Sequence, residues 1–323
     1  MTPQRLFDSR HAYSRSRLAL LSKRVSHVSS LRRFSGLGIY VTGSYGRLEA
    51  SEQSDLDLFF VFDDLGKEKK IDKLSKILID GALIGTTRNM GFPEFSNEGE
   101  FLEIHSLKDM LKTLGGREDD YSNRFTARML LILESRPIYN RSAYNRIVEK
   151  IVHAYFRDYH GHEKDFRPIF LVNDILRYWK TLCLNYENKR NLRSSNADTN
   201  NKNHLRNLKL KFSRLLTCFS AAIPLCARSS TTREQIVDLI RRPPIERIES
   251  VAKESNKNRQ FLESILSEYA WFLSVTAKPG VLSWIGEHRN RDVAFGRARI
   301  FGKQVFNLLD RSCSDDILRY LVI

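Results

Sequence analysis

The stretch that most constrains the fold is Asp55-Leu56-Asp57-Leu58-Phe59-Phe60-Val61-Phe62. Its aliphatic and aromatic run, opened by two alternating acids, reads as a β-strand. Residues two apart on a strand point to one face. Asp55 and Asp57 are therefore expected to present two carboxylates side by side, while Leu56, Leu58 and Phe60 point the other way into a core. Adjacent like charges repel, so such a pair is costly unless something compensates it. Divalent cations do so: two Mg²⁺ ions about 3.5–4 Å apart can bridge both carboxylates and a triphosphate.

Upstream, Ile39-Tyr40-Val41 reads as a short strand running into Gly43-Ser44. A glycine lets the backbone approach a phosphate closely. The N–H groups of the next turn, with the Ser44 hydroxyl, are then suited to hold the β- and γ-phosphates. Arg47 stands just beyond and offers a charge-assisted contact. Each piece alone is ordinary, since an Asp-x-Asp strand end is often a solvated edge and Gly-Ser is common in turns. The order is what distinguishes it: strand, Gly-Ser, a spacer from Tyr45 to Ser54, then Asp-hydrophobic-Asp-hydrophobic on a second strand.

This run, Gly43-Ser44-Tyr45-Gly46-Arg47-Leu48-Glu49 through Ser54-Asp55-Leu56-Asp57-Leu58, resembles the signature of the DNA polymerase β-like nucleotidyltransferase superfamily. It is especially similar to the branch of bacterial PII-protein uridylyltransferases. Thr42 departs from the pattern, where a more apolar residue is common. The resemblance implies an α+β fold, a small mixed sheet with helices. It also implies an NTP substrate and two Mg²⁺ ions, or Mn²⁺, at Asp55 and Asp57. A third carboxylate, metal ligand or general base, is implied on a later strand in an apolar-acid-apolar context. Phe101-Leu102-Glu103-Ile104-His105-Ser106 fits, which makes Glu103 the candidate and Glu100 its alternative. His105 shares a strand face with Glu103 and is read as structural. Thr126-Ala127-Arg128 and Leu133 to Tyr139 are similar to the same branch and support the fold.

Around these motifs, helical periodicity is expected over 9–31, 67–79 and 107–114, a loop over 92–97 and a third strand over 100–104. From about Tyr121 the strand signal disappears. Helical patterns follow at 121–135, 141–158, 168–187, 204–222, 231–241, 258–275 and 290–310, with Pro137 and Pro243-Pro244 as stops. The expected organisation is a nucleotidyltransferase domain over 1–140 and an all-helical domain over 141–323. The asparagine-rich run 188–203 reads as a loop between long helices.

In the helical half, Ile175, Leu176, Trp179, Leu182, Cys183 and Tyr186 form one apolar stripe. The resemblance implies that such a domain closes over base and ribose, for which Asn173, Asp174 and Arg177 are candidates. Lys202, Arg206, Lys209, Lys211 and Arg214 fall in a stretch without an acid. Lys209, Lys211 and Arg214 suit phosphates, of the triphosphate or of RNA; a solvated basic surface is the plainer alternative.

The net charge of +15, from 53 Lys+Arg against 38 Asp+Glu, favours polyanionic partners. The expected activity is transfer of NMP to an acceptor hydroxyl, with RNA, plausibly a tRNA end, as acceptor and a stress or toxin–antitoxin role. An antitoxin or regulatory protein is a possible partner. A protein acceptor, a second nucleotide, or a non-catalytic binding module are the alternatives. Arg5, Arg10, Arg15 and Arg17 interrupt any leader-like run, and no apolar stretch of about 20 residues is evident. A cytoplasmic protein without membrane contact is expected. The cysteines Cys183, Cys218, Cys226 and Cys313 show no metal spacing and are expected as buried, reduced thiols.

Overall fold

The computed structural model describes residues 2–66, 71–93, 95, 102–191, 197–252, 258–313, 316, 317 and 319. Two compact units result, Phe7–Ala154 and Tyr155–Ile323 together with Met1–Leu6.

The first unit is built on β1 (Leu37–Val41), β2 (Leu58–Phe62), β3 (Ile104–Ser106) and β4 (Arg136–Tyr139). Its helices are α1 (Pro3–Val25), a single turn α2 (Gly43–Gly46), α3 (Lys73–Arg88), α4 (Leu107–Lys112), α5 (Arg117–Tyr121), α6 (Arg124–Glu134) and α7 (Arg141–Ala154). The strands form one mixed sheet in the order β3-β2-β1-β4. β1 pairs antiparallel with β2 and β4, and β2 pairs parallel with β3. Every residue of the two central strands is buried. On one face Leu37, Ile39, Val41, Leu58 and Phe60 cluster with Leu18, Leu21 and Val25 of α1 and with Ile79 and Leu83 of α3. On the other, Tyr40 stacks on Phe59 at 6.0 Å and meets Tyr144 of α7. The sheet is thus covered on both sides, which fixes its register firmly.

Several expected boundaries shift. β2 starts only at Leu58, so Asp55 and Asp57 lie in the segment that leads into it. The third strand is Ile104–Ser106; residues 100 and 101 lie outside the described ones. α3 begins after Asp72, whose side chain accepts from the Ser75 N–H at 2.8 Å as an N-cap; residues 67–70 lie outside the description. The strand signal does not end at Tyr121, because β4 follows it. Four residues with a proline give no readable period, and Pro137 is tolerated because β4 is an edge strand.

The second unit contains α8 (Ile169–Asn191), α9 (Ala197–Lys209), a π-helical stretch (Leu210–Arg214) leading into α10 (Leu215–Ala227), α11 (Arg233–Arg241), α12 (Pro244–Ala252), α13 (Arg259–Thr276), α14 (Val281–Gly286) and α15 (His288–Ser312). Among its described residues there is no strand. Phe212 anchors the core, with the rings of Phe272 and Phe301 each 4.8 Å away. Pro243-Pro244 is both a stop and a start: Pro244 is the first residue of α12, where a missing N–H costs nothing. Of the asparagine-rich run 188–203, expected as a loop, residues up to Asn191 belong to α8 and those from Ala197 to α9, while 192–196 lie outside the described residues. Asp198–Ala227 is one helix of 30 residues, long and apolar enough by composition alone to cross a membrane, but 67% of its most apolar stretch is buried, as in a core helix. The four cysteines are free; Cys218, Cys226 and Cys313 are buried and Cys183 half-buried.

Candidate active site

Between Gly36 and Ala50, Ser44 is the one residue that is not buried. The local backbone explains this. Gly43 has φ +64, a left-handed conformation that turns the chain out of β1 and that other residues rarely adopt. The α2 turn then closes on itself, with the Gly46 N–H on the Thr42 carbonyl at 3.2 Å, Arg47 on Gly43 at 3.0 Å and Glu49 on Ser44 at 2.8 Å. Gly46 is needed for a different reason: a Cβ there would run into the Glu134 backbone carbonyl. The turn therefore packs tightly behind and offers only Ser44 in front.

Asp55 is exposed, Leu56 buried and Asp57 half-buried. This alternation turns both carboxylates away from the core that holds Leu56. The Thr42 N–H donates to the Asp57 carbonyl at 3.0 Å, extending the β1–β2 ladder by one pair. As a result Gly43 abuts Asp57: a Cβ at Gly43 would lie 3.1 Å from Asp57 Oδ2. The fold thus brings the Gly43-Ser44 turn against a carboxylate from the far side of the spacer.

Arg47 has another partner set than the one expected. Its guanidinium is 6% exposed; Nε donates to Glu49 Oε2 at 2.8 Å and NH1 pairs with Glu134 Oε2. The cation faces inward and braces the turn instead of reaching forward to a phosphate. Arg136 adds a bond from Nε to the Gly46 carbonyl at 3.2 Å. From α1, Ser14 accepts from the Ala50 N–H at 3.0 Å. Tyr45 packs edge-on against Phe92 at 5.6 Å, and burial, with Tyr13 beside it, pushes its hydroxyl up to about 12. Ser14 carries no mark in the sequence; Glu134 and Arg136 lie in the stretch that supports the fold, and Glu49 in the motif, but the sequence assigns none of the three a role at the turn.

Glu103 is exposed. The pairing of Phe60 with Ile104 sets Glu103 level with Phe59, two residues or about 7 Å along the strand from Asp57. Among the described residues no three of His, Cys, Asp and Glu gather closely enough to hold an ion, so Glu103 does not join Asp55 and Asp57 in this structure. Glu100 lies outside the described residues. His105 is 8% exposed, and burial holds its pKa below the ordinary value, with Glu103 opposing and Arg124 reinforcing.

The remaining candidates belong to the second unit. Asp174 is buried, accepting from the Tyr155 hydroxyl at 2.7 Å and from Arg177 at 3.3 Å. It is an internal acceptor, while Arg177 is half-buried and Asn173 exposed. Lys209 and Lys211 are exposed and Arg214 half-buried, around the π-helical stretch.

Asp55 and Asp57 suit a hard cation. Mg²⁺ takes one or two carboxylates and fills its shell with water and phosphate oxygens, and the space that a Cβ at Gly43 would occupy lies open beside Asp57 Oδ2. A search of the curated proteins finds no relative. A family model described as a nucleotidyltransferase domain matches residues 26–152. The match covers the sheet, the Gly43-Ser44 turn and the Asp55/Asp57 segment, and it ends where the first unit ends. Residues 26–152 are a nucleotidyltransferase domain of the DNA polymerase β-like superfamily.

Proposed function

We propose that this chain transfers NMP from an NTP to an acceptor hydroxyl, with the triphosphate at Gly43-Ser44 and Mg²⁺ at Asp55 and Asp57. The observation that carries this reading is the approach of Gly43 to the Asp57 carboxylate, 3.1 Å from where a Cβ would stand. It sets the backbone of the glycine turn beside a carboxylate oxygen. The acceptor oxygen forms a bond to the α-phosphorus, the α–β phosphoanhydride bond breaks, and pyrophosphate leaves. Bound Mg²⁺ supplies charge neutralisation on the phosphates and a more acidic acceptor hydroxyl. The Ser44 hydroxyl donates to the phosphates, and Glu103 takes the acceptor's proton. Arg47, locked between Glu49 and Glu134, keeps the turn in one conformation, so little reorganisation is needed.

The acceptor in this reading is RNA, a tRNA end fitting best, and the role is that of a stress or toxin–antitoxin enzyme in the cytoplasm. The net charge of +15 supports a polyanionic acceptor. In the second unit, Asn173 and Arg177 are the candidates for base and ribose contacts, and Lys209, Lys211 and Arg214 those for RNA phosphates. The test is incubation with each α-labelled NTP, Mg²⁺ and either total RNA or total protein. Label in RNA with pyrophosphate release is expected; label in protein transfers the reading to protein modification. Asp55→Asn and Asp57→Asn should each cut transfer by about 10³-fold or more with the fold retained. Full transfer by either variant, or no pyrophosphate from wild type with any NTP, ends the assignment.

A further inference from the structure

Helix α3 is apolar on two opposite faces. Its buried face carries Ile79 and Leu83, which join the core of the first unit. On the other side Leu74, Ile77 and Leu78 stand 74%, 56% and 62% exposed. With Gly81 and Gly85 they follow the three- and four-residue spacing of one helix face, about half a turn from Ile79 and Leu83. No charged side chain falls within this stripe from Leu74 to Gly85; Lys76 and Asp80 are turned aside and hold each other at 2.6 Å. Single exposed leucines are ordinary, but a continuous apolar stripe marks a contact surface. A helix that is apolar on its outer face as well as its inner one is a helix that something covers.

The two halves of the stripe differ, and the difference points to what covers it. The N-terminal half carries three large side chains. The C-terminal half is bare: a Cβ built on Gly81 or on Gly85 meets nothing within 4 Å. A glycine inside a helix costs about 1 kcal/mol against alanine, and among the described residues nothing packs into the space that either leaves. Laid antiparallel on an identical helix, about a two-fold axis at the level of Ile79 and Asp80, the stripe fits itself. Leu78 of each copy then stands opposite Gly81 of the other, and Leu74 opposite Gly85. The two-fold repeats each contact, as a closed dimer requires, and the missing Cβ atoms let the two backbones approach. The exposed side chains form an apolar patch on the order of 400 Å² per copy, in the range of the largest patch on a monomer. A standard stable interface buries about 800 Å² per partner, so this contact belongs to the weak, concentration-dependent class. Each copy carries a net charge of +15, and an uncharged stripe is where two copies meet without setting cation against cation.

We propose that α3 is a self-association surface, on which a second copy of this chain docks its own α3 antiparallel, Leu74 and Leu78 of each copy seated on Gly85 and Gly81 of the other. The inference does not rest on the transferase reading, since no residue of the Gly43-Ser44 turn or of the Asp55/Asp57 segment takes part in it.

The test is sedimentation of the full chain from about 1 μM to about 1 mM, the span of weak affinities. Wild type should pass from monomer to dimer within that span, and more readily as salt rises, because salt screens the repulsion between the copies. Leu74→Glu/Leu78→Glu removes the large side chains, and Gly81→Leu fills the space opposite Leu78. Each should weaken dimerisation about tenfold or more. All three positions are exposed, so the melting temperature of the dilute monomer should not fall. Gly81→Leu should raise it, since leucine is the better helix former. A wild type that stays monomeric up to about 1 mM, or a dimer that neither variant weakens, overturns the proposal. So does binding of wild type to phosphatidylcholine vesicles without dimerisation, which would assign the stripe to a lipid surface. A dimer that salt dissociates would be held by ionic contacts and overturns it as well. Pyrophosphate release is measured on the same samples: its absence in wild type ends the transferase reading and leaves the dimer standing.

Discussion

Arg47 and Arg247 are both almost wholly buried, one in each unit, and they are satisfied in opposite ways. Arg47 lies between two carboxylates, Glu49 beside it and Glu134 at the end of α6, 87 residues away. Arg247 donates to carbonyls, those of Leu239, Ile240 and Arg242 at 2.9–3.0 Å, all at the end of the neighbouring α11. The second arrangement is local: it caps a helix and would form wherever that helix pair forms. The first ties a turn to a helix distant in sequence, and Arg128 with Asp119, both fully buried, adds a second ion pair in the same unit. Buried ion pairs add little net stability against an apolar replacement, yet breaking one is costly. The Arg47 pairings behind the Gly43-Ser44 turn therefore suit a demand for one fixed geometry there. The second unit, centred on the stacked rings of Phe212 and Phe272, meets no such demand.

This contrast can be broken by removing each arginine in turn. Arg47→Met leaves Glu49 and Glu134 buried against each other and should cost about 3–5 kcal/mol, with loss of NTP use. Arg247→Met leaves carbonyls short of donors and should cost about 1–3 kcal/mol, with NTP use kept. Urea denaturation followed by NTP binding measures both. Equal losses in the two variants would mean that the buried carboxylates carry no special strain.

Glycines sharpen the same comparison at a smaller scale. At Gly46 a Cβ would meet the Glu134 carbonyl, part of a backbone that cannot step aside. Gly46→Ala should therefore destabilise by about 3 kcal/mol, at the upper end of overpacking costs. Gly296, inside α15, has nothing within 4 Å of a built Cβ. Gly296→Ala should stabilise by about 0.5–1 kcal/mol, since alanine is the better helix former. Thermal melts of the two variants should move in opposite directions.

The sequence showed what is local and hid what is distant. Gly43-Ser44 and Asp55/Asp57 were legible because strand period and turn chemistry act over a few residues. Most helices were legible for the same reason. Glu134 was not, because a glutamate at a helix end has no mark that assigns it to an arginine so far upstream. The pairing of Arg47 with Glu134 is hidden on the same account: a cation beside a glycine turn reads forward until its buried partners are known. β4 stayed hidden because Pro137 argues against a strand unless the edge position is known.

The smallest expected effect is one of slope, and it again sets the units side by side. His105 lies on β3 beneath α-helical cover, 8% exposed, facing the charges of Glu103 and Arg124. His204 of α9 is half-buried, with Arg291 at 3.4 Å. Burial is the leading cause that lowers both pKa values below 6.5, and Arg291 adds to it at His204. A depressed folded-state pKa means that, between it and 6.5, the unfolded chain binds a proton that the fold refuses. Stability therefore rises with pH through this window; on acidification it begins to fall near 6.5 and stops falling below the folded pKa. His105→Gln removes a titrating group and should flatten the stability profile of the first unit just below pH 6.5. His204→Gln should flatten it less, because a half-buried ring keeps more of its hydration in the charged form. Urea midpoints across that pH range for both variants decide it. A steeper profile in His105→Gln than in wild type would mean that the ring is charged in the folded state, with Glu103 outweighing burial.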